Sequence, residues 1–297
     1  MYSIDAINFL KEKGYEIIYK SRGEDFWIEN ISSLQGLMPN SICWIKAEKF
    51  ATEDIVKNIC DIGTVLVVCP FEIEGANCII TQCPKGVFFE ILNHFFYKEF
   101  KHEISCKATV LTGKIGDNVH IGPNCYICED VTIGDNTIIH PNVNIISHCS
   151  IGHDCEIYPG VVIGADGYGY YFEGDVPHRE KHFMGVRIGN NVDIGANTCI
   201  DRGLITDTII KDNVKIDNLC HISHNVVVEE NTLIIAGTVV CGSAVIKKNA
   251  YLAPGSTVLN QITVEERGMV GSNSLAIRKV KKGTTIFGVP GRCIRKE

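Results

Sequence analysis

From Ile115 an isoleucine returns at every sixth residue: Ile121, Ile127, Ile133, Ile139, Ile145, Ile151, Ile157 and Ile163. The ladder resumes at Ile188, Ile194 and Ile200. It resumes again at Ile210 and runs through Ile216, Ile222, Val228, Ile234, Val240, Ile246, Leu252, Val258, Val264 and Val270. A period of six fits neither the 3.6 of an α-helix nor the two of an alternating strand. It fits a solenoid of short strands and tight turns in which each ladder residue enters a stacked aliphatic core. Four residues after most ladder positions stands a small or β-branched residue, such as Val119, Val131, Thr137 or Val143, suited to turning a corner. Three six-residue faces close one coil. Residues 18 apart therefore stack, and the 23 ladder positions build between seven and eight coils.

Composition narrows the function. The net charge is 28 − 35 = −7, which argues against a nucleic-acid binder with a broad basic surface. Of the 14 cysteines, Cys125, Cys149, Cys155 and Cys220 fill the small slot of the repeat, and Cys128 of the Cys125–Cys128 pair replaces a turn glycine. They read as core residues of a reduced, cytoplasmic protein, with no redox or metal role. No apolar leader opens the chain, and the longest uncharged run, 231–246, is too polar for a membrane-spanning helix.

Before the ladder the pattern is α/β. Helices are expected from Ser3, as cap, to about Lys13, over 52–62 and over 86–98, with Pro84 in the first turn of the last. Strands are expected at 15–19, 26–29, 42–47, 64–69 and 78–81. The domains expected are an α/β unit over 1–100, a parallel β-helix over 101–280 and a basic tail over 281–297.

Two breaks interrupt the ladder, 163–188 and 200–210. Excursions from a regular solenoid are where function concentrates, and the longer one is rich in Tyr, His, Gly and charge. It opens with Gly164-Ala165-Asp166-Gly167-Tyr168-Gly169-Tyr170. A second block runs from Gly195 through Asp201-Arg202-Gly203 and Asp217-Asn218 to Ile222-Ser223-His224-Asn225-Val226. With the segments 31–50 and 88–92, these blocks resemble the UDP-3-O-acylglucosamine N-acyltransferases of lipid A biosynthesis, over roughly residues 1–260. The hexapeptide ladder itself resembles the left-handed parallel β-helix of that wider transferase class. The hand comes from the resemblance, since the general rule for parallel crossovers is right-handed.

The resemblance implies transfer of an acyl group from a thioester to the amine of a nucleotide-linked sugar. It makes His224 the general base, and an imidazole is a suitable group to accept the amine's proton. It places Asp217 to orient that ring and the Gly242 amide at the thioester oxyanion; stacking agrees, because Gly242 lies 18 residues beyond His224. Asp166, Tyr168 and Tyr170 fall in the substrate loop. Trp44 and Phe50 fall where the family sandwiches a uracil, with Ala47 standing in place of an Asn between them. Gln261 stands where the family often carries a second histidine. The co-substrate implied is acyl-ACP, carried on 4′-phosphopantetheine, or acyl-CoA, and the assembly implied is a homotrimer with sites between solenoids. The acceptor is a UDP- or dTDP-linked amino sugar.

The chain ends differently from that family. Phe287-Gly288-Val289-Pro290-Gly291-Arg292 resembles the ending of CoA-dependent sugar acetyltransferases, and Arg278, Lys279, Lys281, Lys282, Arg292, Arg295 and Lys296 make the end basic. An acetyl-CoA-dependent N-acetyltransferase of glycan tailoring is therefore the alternative. A γ-class carbonic-anhydrase-like hydratase would use His148 and His153, but its third histidine would fall near Thr112, where there is none. A non-catalytic scaffold would have no use for the His224 block.

Overall fold

The structure is a computed structural model that describes residues 1–97, 102–146 and 148–294. The predicted helix end at Lys98, the domain boundary at residues 100 and 101, and Arg295 and Lys296 lie outside the described residues. The chain forms two compact units, Met1–Phe100 and Lys101–Glu297.

The first unit is a three-layer α/β arrangement. In chain order it comprises α1 (Ser3–Glu12), β1 (Ile18–Lys20), β2 (Asn30–Ile31), β3 (Ser41–Trp44), α2 (Glu53–Ile62), β4 (Val65–Cys69), β5 (Asn77–Ile80) and α3 (Pro84–Phe95). The sheet order is β1-β5-β4-β3-β2, with β1 antiparallel to β5 and the rest parallel. β4 is buried along its whole length, because helices cover both faces of a parallel sheet. Its Leu66 and Val68 pack with Ile7 and Leu10 of α1 and Ile91 of α3. Val65, Val67 and Cys69 pack with Ile59 of α2 on the other side. Two expectations need correction. Residues 26–29 form no strand, apart from a bridge between Trp27 and Tyr2. Ser3 lies inside α1 rather than capping it: its hydroxyl bonds Asp25, and the helix entry is held by Tyr2 N–H donating to Asp5 Oδ2 at 2.7 Å.

The second unit is the solenoid. Sheets of ten, nine and seven strands, parallel but for the last strand of the ten, form its three faces among the described residues. Ile121, Ile139 and Ile157 stack in register 18 residues apart, as do Ile127, Ile145 and Ile163. The ladder residues share one continuous core in which most are fully buried. The small residues four positions on are buried in that same core. The turn itself is carried by the residue before them: Asn118, Asn136, Asn142, Asn197 and Asn225 all adopt left-handed φ of 55–64°. Asparagine tolerates this region best among residues with a Cβ. Cys125, Cys149, Cys155 and Cys220 are buried in the core, and burial pushes the Cys149 thiol up to about 12. Cys149 should therefore stay unlabelled by maleimide in the folded protein at pH 8, and mass mapping of labelled peptides checks this.

Both breaks are out-of-plane excursions. Ile163 pairs with Ile200, 37 residues on, and Ile200 pairs with Ile222, 22 on. The first excursion projects an antiparallel hairpin, Tyr170–Glu173 with Val176–Arg179. The last stretch is not a free tail up to residue 294. Thr285–Phe287 continues the ten-stranded sheet, and Arg292–Ile294 pairs back antiparallel on it. Among the described residues no helix is long and apolar enough to cross a membrane.

Candidate active site

His224 sits at a corner of the solenoid, directly after a ladder strand. Its Nδ1 lies 2.8 Å from Asn225 Oδ1. The surroundings of Asn225 fix the proton on that ring. Asn225 Nδ2 donates to Thr206 O and to Thr206 Oγ1, both at 2.8 Å, and Oδ1 also accepts the Leu204 N–H at 3.3 Å. The amide oxygen therefore faces His224, Nδ1 must carry the hydrogen, and Nε2 keeps the free lone pair. Leu204 and Thr206 belong to the shorter excursion, so the second break in the ladder exists, at least in part, to hold this amide.

That excursion is itself anchored. Asp207 accepts the Arg187 Nε–H at 2.9 Å and the Gly185 N–H at 2.7 Å. Burial alone would raise the Asp207 carboxyl, but the Arg187 guanidinium and the Gly185 N–H outweigh it and hold the group below its usual range. A depressed carboxylate contributes stability that is present above its unfolded value and lost as pH falls through its folded value. Wild-type melting temperature should fall on acidification in that window, and Asp207→Asn should flatten this limb. A thermal melt series between pH 3 and 7 checks it.

Gly242 lies on the next coil against the imidazole. The chain stacks there through Ser243 N–H donating to His224 O at 3.0 Å. A Cβ built on Gly242 would sit 2.8 Å from both Cε1 and Nε2 of His224, so any larger residue must displace the ring or the coil. At several equivalent turn positions a side chain from the neighbouring coil caps the N–H: Asp135 caps Asp117, Asn218 caps Ala196, Asp217 caps Ala236 and Glu229 caps Lys248. Among the described residues nothing caps the Gly242 N–H, as nothing caps those of Asp212 and Asn260 at the same position of the repeat. Gly242 differs from them in being packed against the Nε2 edge of the His224 ring.

A cavity of about 410 Å³ opens on His224, lined by Tyr168, Gly169, Tyr170, Phe172, Pro177, Glu180, His182 and Leu204. The long excursion thus brings Tyr168 and Tyr170 to the cavity that His224 lines, with their rings 4.9 Å apart. Asp166 does not line it; its carboxylate lies 3.8 Å from Arg179. His182 packs edge-on to His224 with ring centroids 5.3 Å apart.

Asp217 does not orient His224 within this chain. It caps Asn218 and Ala236 and lines a separate pocket with Tyr158 and Lys215. The side chain that contacts the His224 ring is Asn225, which sequence reasoning passed over although it is the next residue. Gln261 is exposed in a left-handed turn, its N–H donating to Gly242 O, and it does not line the His224 cavity. His148 and His153 pair separately, with Asp130 at 2.7 Å and Asp135 at 3.4 Å.

In the first unit, Trp44 and Phe50 line one cleft of about 310 Å³ together with Ser32, Ser33, Leu34 and Lys46. Lys46, which the motif comparison did not single out, adds a cation to this aromatic cleft. The sequence signal available was its place between the two aromatics.

The bacterial transferase hexapeptide family model matches residues 112–146 and 130–165. The UDP-3-O-acylglucosamine N-acyltransferase of Albidiferax ferrireducens is 42% identical over 122 residues, which cover 41% of this chain and 37% of that protein. The enzyme of the same name from Rickettsia massiliae is 51% identical over 86 residues, 29% of this chain and 25% of that one. The chain therefore matches well under half the length of these curated relatives. Among solved structures, the UDP-N-acetylglucosamine acyltransferase of Francisella novicida aligns with a TM-score of 0.60 at 25% identity, covering 65% of this chain and 70% of that one. Its Bacteroides fragilis counterpart aligns at 0.58 and 27%, covering 65% and 74%. The fold is the left-handed parallel β-helix, preceded by a small α/β region.

Proposed function

We propose that this protein is an N-acyltransferase that moves an acyl group from a phosphopantetheine thioester to the amine of a nucleotide-linked amino sugar. One observation carries the reading: an imidazole whose Nδ1 is held by Asn225 lines a cavity, with Gly242 of the next coil, its N–H uncapped, packed against the ring. The similarity to the UDP-3-O-acylglucosamine N-acyltransferases supports the choice of amine over other nucleophiles. It also favours a place for the reaction in lipid A or surface-polysaccharide synthesis.

The chemistry follows from the geometry. The amine nitrogen attacks the thioester carbonyl while His224 Nε2 takes its proton. Charge developing on the carbonyl oxygen is met by the Gly242 N–H, a donor already in place. The tetrahedral intermediate collapses by breaking the C–S bond. The leaving thiolate takes the proton from the His224 imidazolium, giving an amide and a free thiol and restoring the base. Asn225 holds the ring in one tautomer throughout.

The Trp44–Phe50 cleft serves as the base subsite of the nucleotide. Stacking on such aromatics contributes roughly 1–3 kcal/mol per base. Trp44→Ala should raise KM for the nucleotide sugar by about 5- to 150-fold and leave KM for the thioester alone; steady-state kinetics in both substrates decides it. The working unit is a homotrimer. Exposed Phe172, Phe183, Ile205 and Leu219 support burial against further copies.

The reading is tested by thiol release with UDP- and dTDP-linked amino sugars against acetyl-CoA, longer acyl-CoAs and acyl-ACP. Acceptor-dependent thiol release with one pairing is the expected result, and that pairing separates a carrier-protein donor from CoA. No release above thioester hydrolysis in any pairing would sink it.

A further inference from the structure

His182 has no role in the chemistry above, yet it is the most anomalous polar group near it. It is only 5% exposed, and neither Nδ1 nor Nε2 has a hydrogen-bond partner among the described residues. Buried polar atoms are almost always paired, and each specific exception calls for an explanation. His182 is also placed with care. Glu180 N–H donates to Gly169 O at 2.9 Å, which pins the segment leaving the hairpin against the Gly167–Gly169 loop. A Cβ on Gly167 would lie 3.1 Å from His182 Nε2 and 2.9 Å from His224 Cδ2, so the glycine lets the two imidazoles approach. Both rings line the same cavity, with aromatic and aliphatic walls from Tyr168, Tyr170, Phe172 and Leu204.

We propose that His182 is an acceptor-binding residue: it hydrogen-bonds a sugar oxygen near the reacting amine, a hydroxyl or an ester oxygen, and holds that amine against His224. The proposal rests on the acyl-transfer reading and goes beyond it by assigning the sugar subsite to the long excursion. A neutral imidazole offers one donor and one acceptor, and a sugar hydroxyl offers the same pair. Both ring nitrogens are shut from solvent, so what the ring now shows the cavity is carbon. A half-turn about χ2 exchanges Nδ1 with Cδ2 and Nε2 with Cε1 in the same ring plane, and this torsion is broad and two-fold. The sugar thereby supplies the partner that the unliganded chain lacks. An imidazole unpaired without ligand and paired with it favours hydroxyl-bearing acceptors over purely apolar amines.

Two variants separate this from a packing role. His182→Phe keeps the ring and its edge-on contact with His224 but removes both nitrogens. His182→Gln removes the ring but keeps one donor and one acceptor. The assay is initial-rate acyl transfer by the full chain with the thioester active on the wild type, using UDP-3-O-acylglucosamine, UDP-glucosamine and a dTDP-linked 4-amino sugar, with a thermal melt as a folding check. The expected result is a rise in acceptor KM of at least tenfold for His182→Phe, with thioester KM within twofold and melting temperature equal or higher. His182→Gln should recover part of the loss. Normal acceptor KM in His182→Phe overturns the proposal while leaving the acyl-transfer reading intact, and that variant decides even if His182→Gln fails to fold. Absence of transfer in the wild type overturns both.

Discussion

His224→Ala is expected to lower kcat by about 10²–10⁴, the range that a positioned general base supplies, while acceptor and thioester KM should move little and the melting temperature should stay close to wild type. The reason lies in what the side chain touches. Its one hydrogen-bond partner among the described residues is Asn225 Oδ1, and it stands outside the aliphatic ladder that holds the coils together. Removing it takes away the acceptor for the amine proton without opening a cavity in the core. Asn225→Ala should lower kcat in the same direction by a smaller factor, because the ring remains but its tautomer and plane are released. It should also cost stability, since Asn225 ties the coil to Thr206 and Leu204. An unchanged kcat in His224→Ala refutes the base assignment; lost activity with a collapsed melt leads to the same comparison in His224→Gln, which keeps polarity and size.

The fold was legible because its physics is one-dimensional. Each coil contacts chiefly the next, so a six-residue period and three faces were enough to place Ile222 on Val240 and hence His224 beside Gly242. The neighbourhood of those two candidate residues was therefore legible before the structure. What could not be read lies where the ladder breaks. Asp217 matched an acidic motif position, but its carboxylate accepts one N–H of its own turn and one of the next coil, as an Asp in that corner can do for backbone reasons alone. Asn225 was visible but ambiguous, because left-handed asparagines occupy most corners for backbone reasons alone. Only the fold of residues 203–206 distinguishes the one that holds the His224 ring. His182 was hidden for a similar reason: no period fixes where a 19-residue excursion returns (37 − 18), and its approach to His224 depends on the hairpin closing over Gly167. In the first unit the strand expected at 26–29 failed because one bridge, Tyr2 with Trp27, replaces a ladder of pairs.

The second large effect belongs to Gly242→Ala, which should lower kcat by about 10²–10³, as losing an oxyanion donor does. The substitution deletes no functional group. The added methyl would lie 2.8 Å from Cε1 and Nε2 of His224, closer than carbon and nitrogen can approach, so the ring or the coil must yield. Moving the ring spoils the direction of Nε2; moving the coil swings the open N–H away from the carbonyl oxygen. The two displacements can be told apart in the double variant. With His224→Ala already present the methyl meets no ring, so any loss acting through the base disappears. Whatever loss Gly242→Ala still causes in that background, read by single-turnover thiol release, measures the misplaced N–H alone. Full coupling assigns Gly242 to making room for His224. A retained loss assigns its amide to the oxyanion. A single Gly242→Ala variant within threefold of wild-type kcat would remove both roles from this residue.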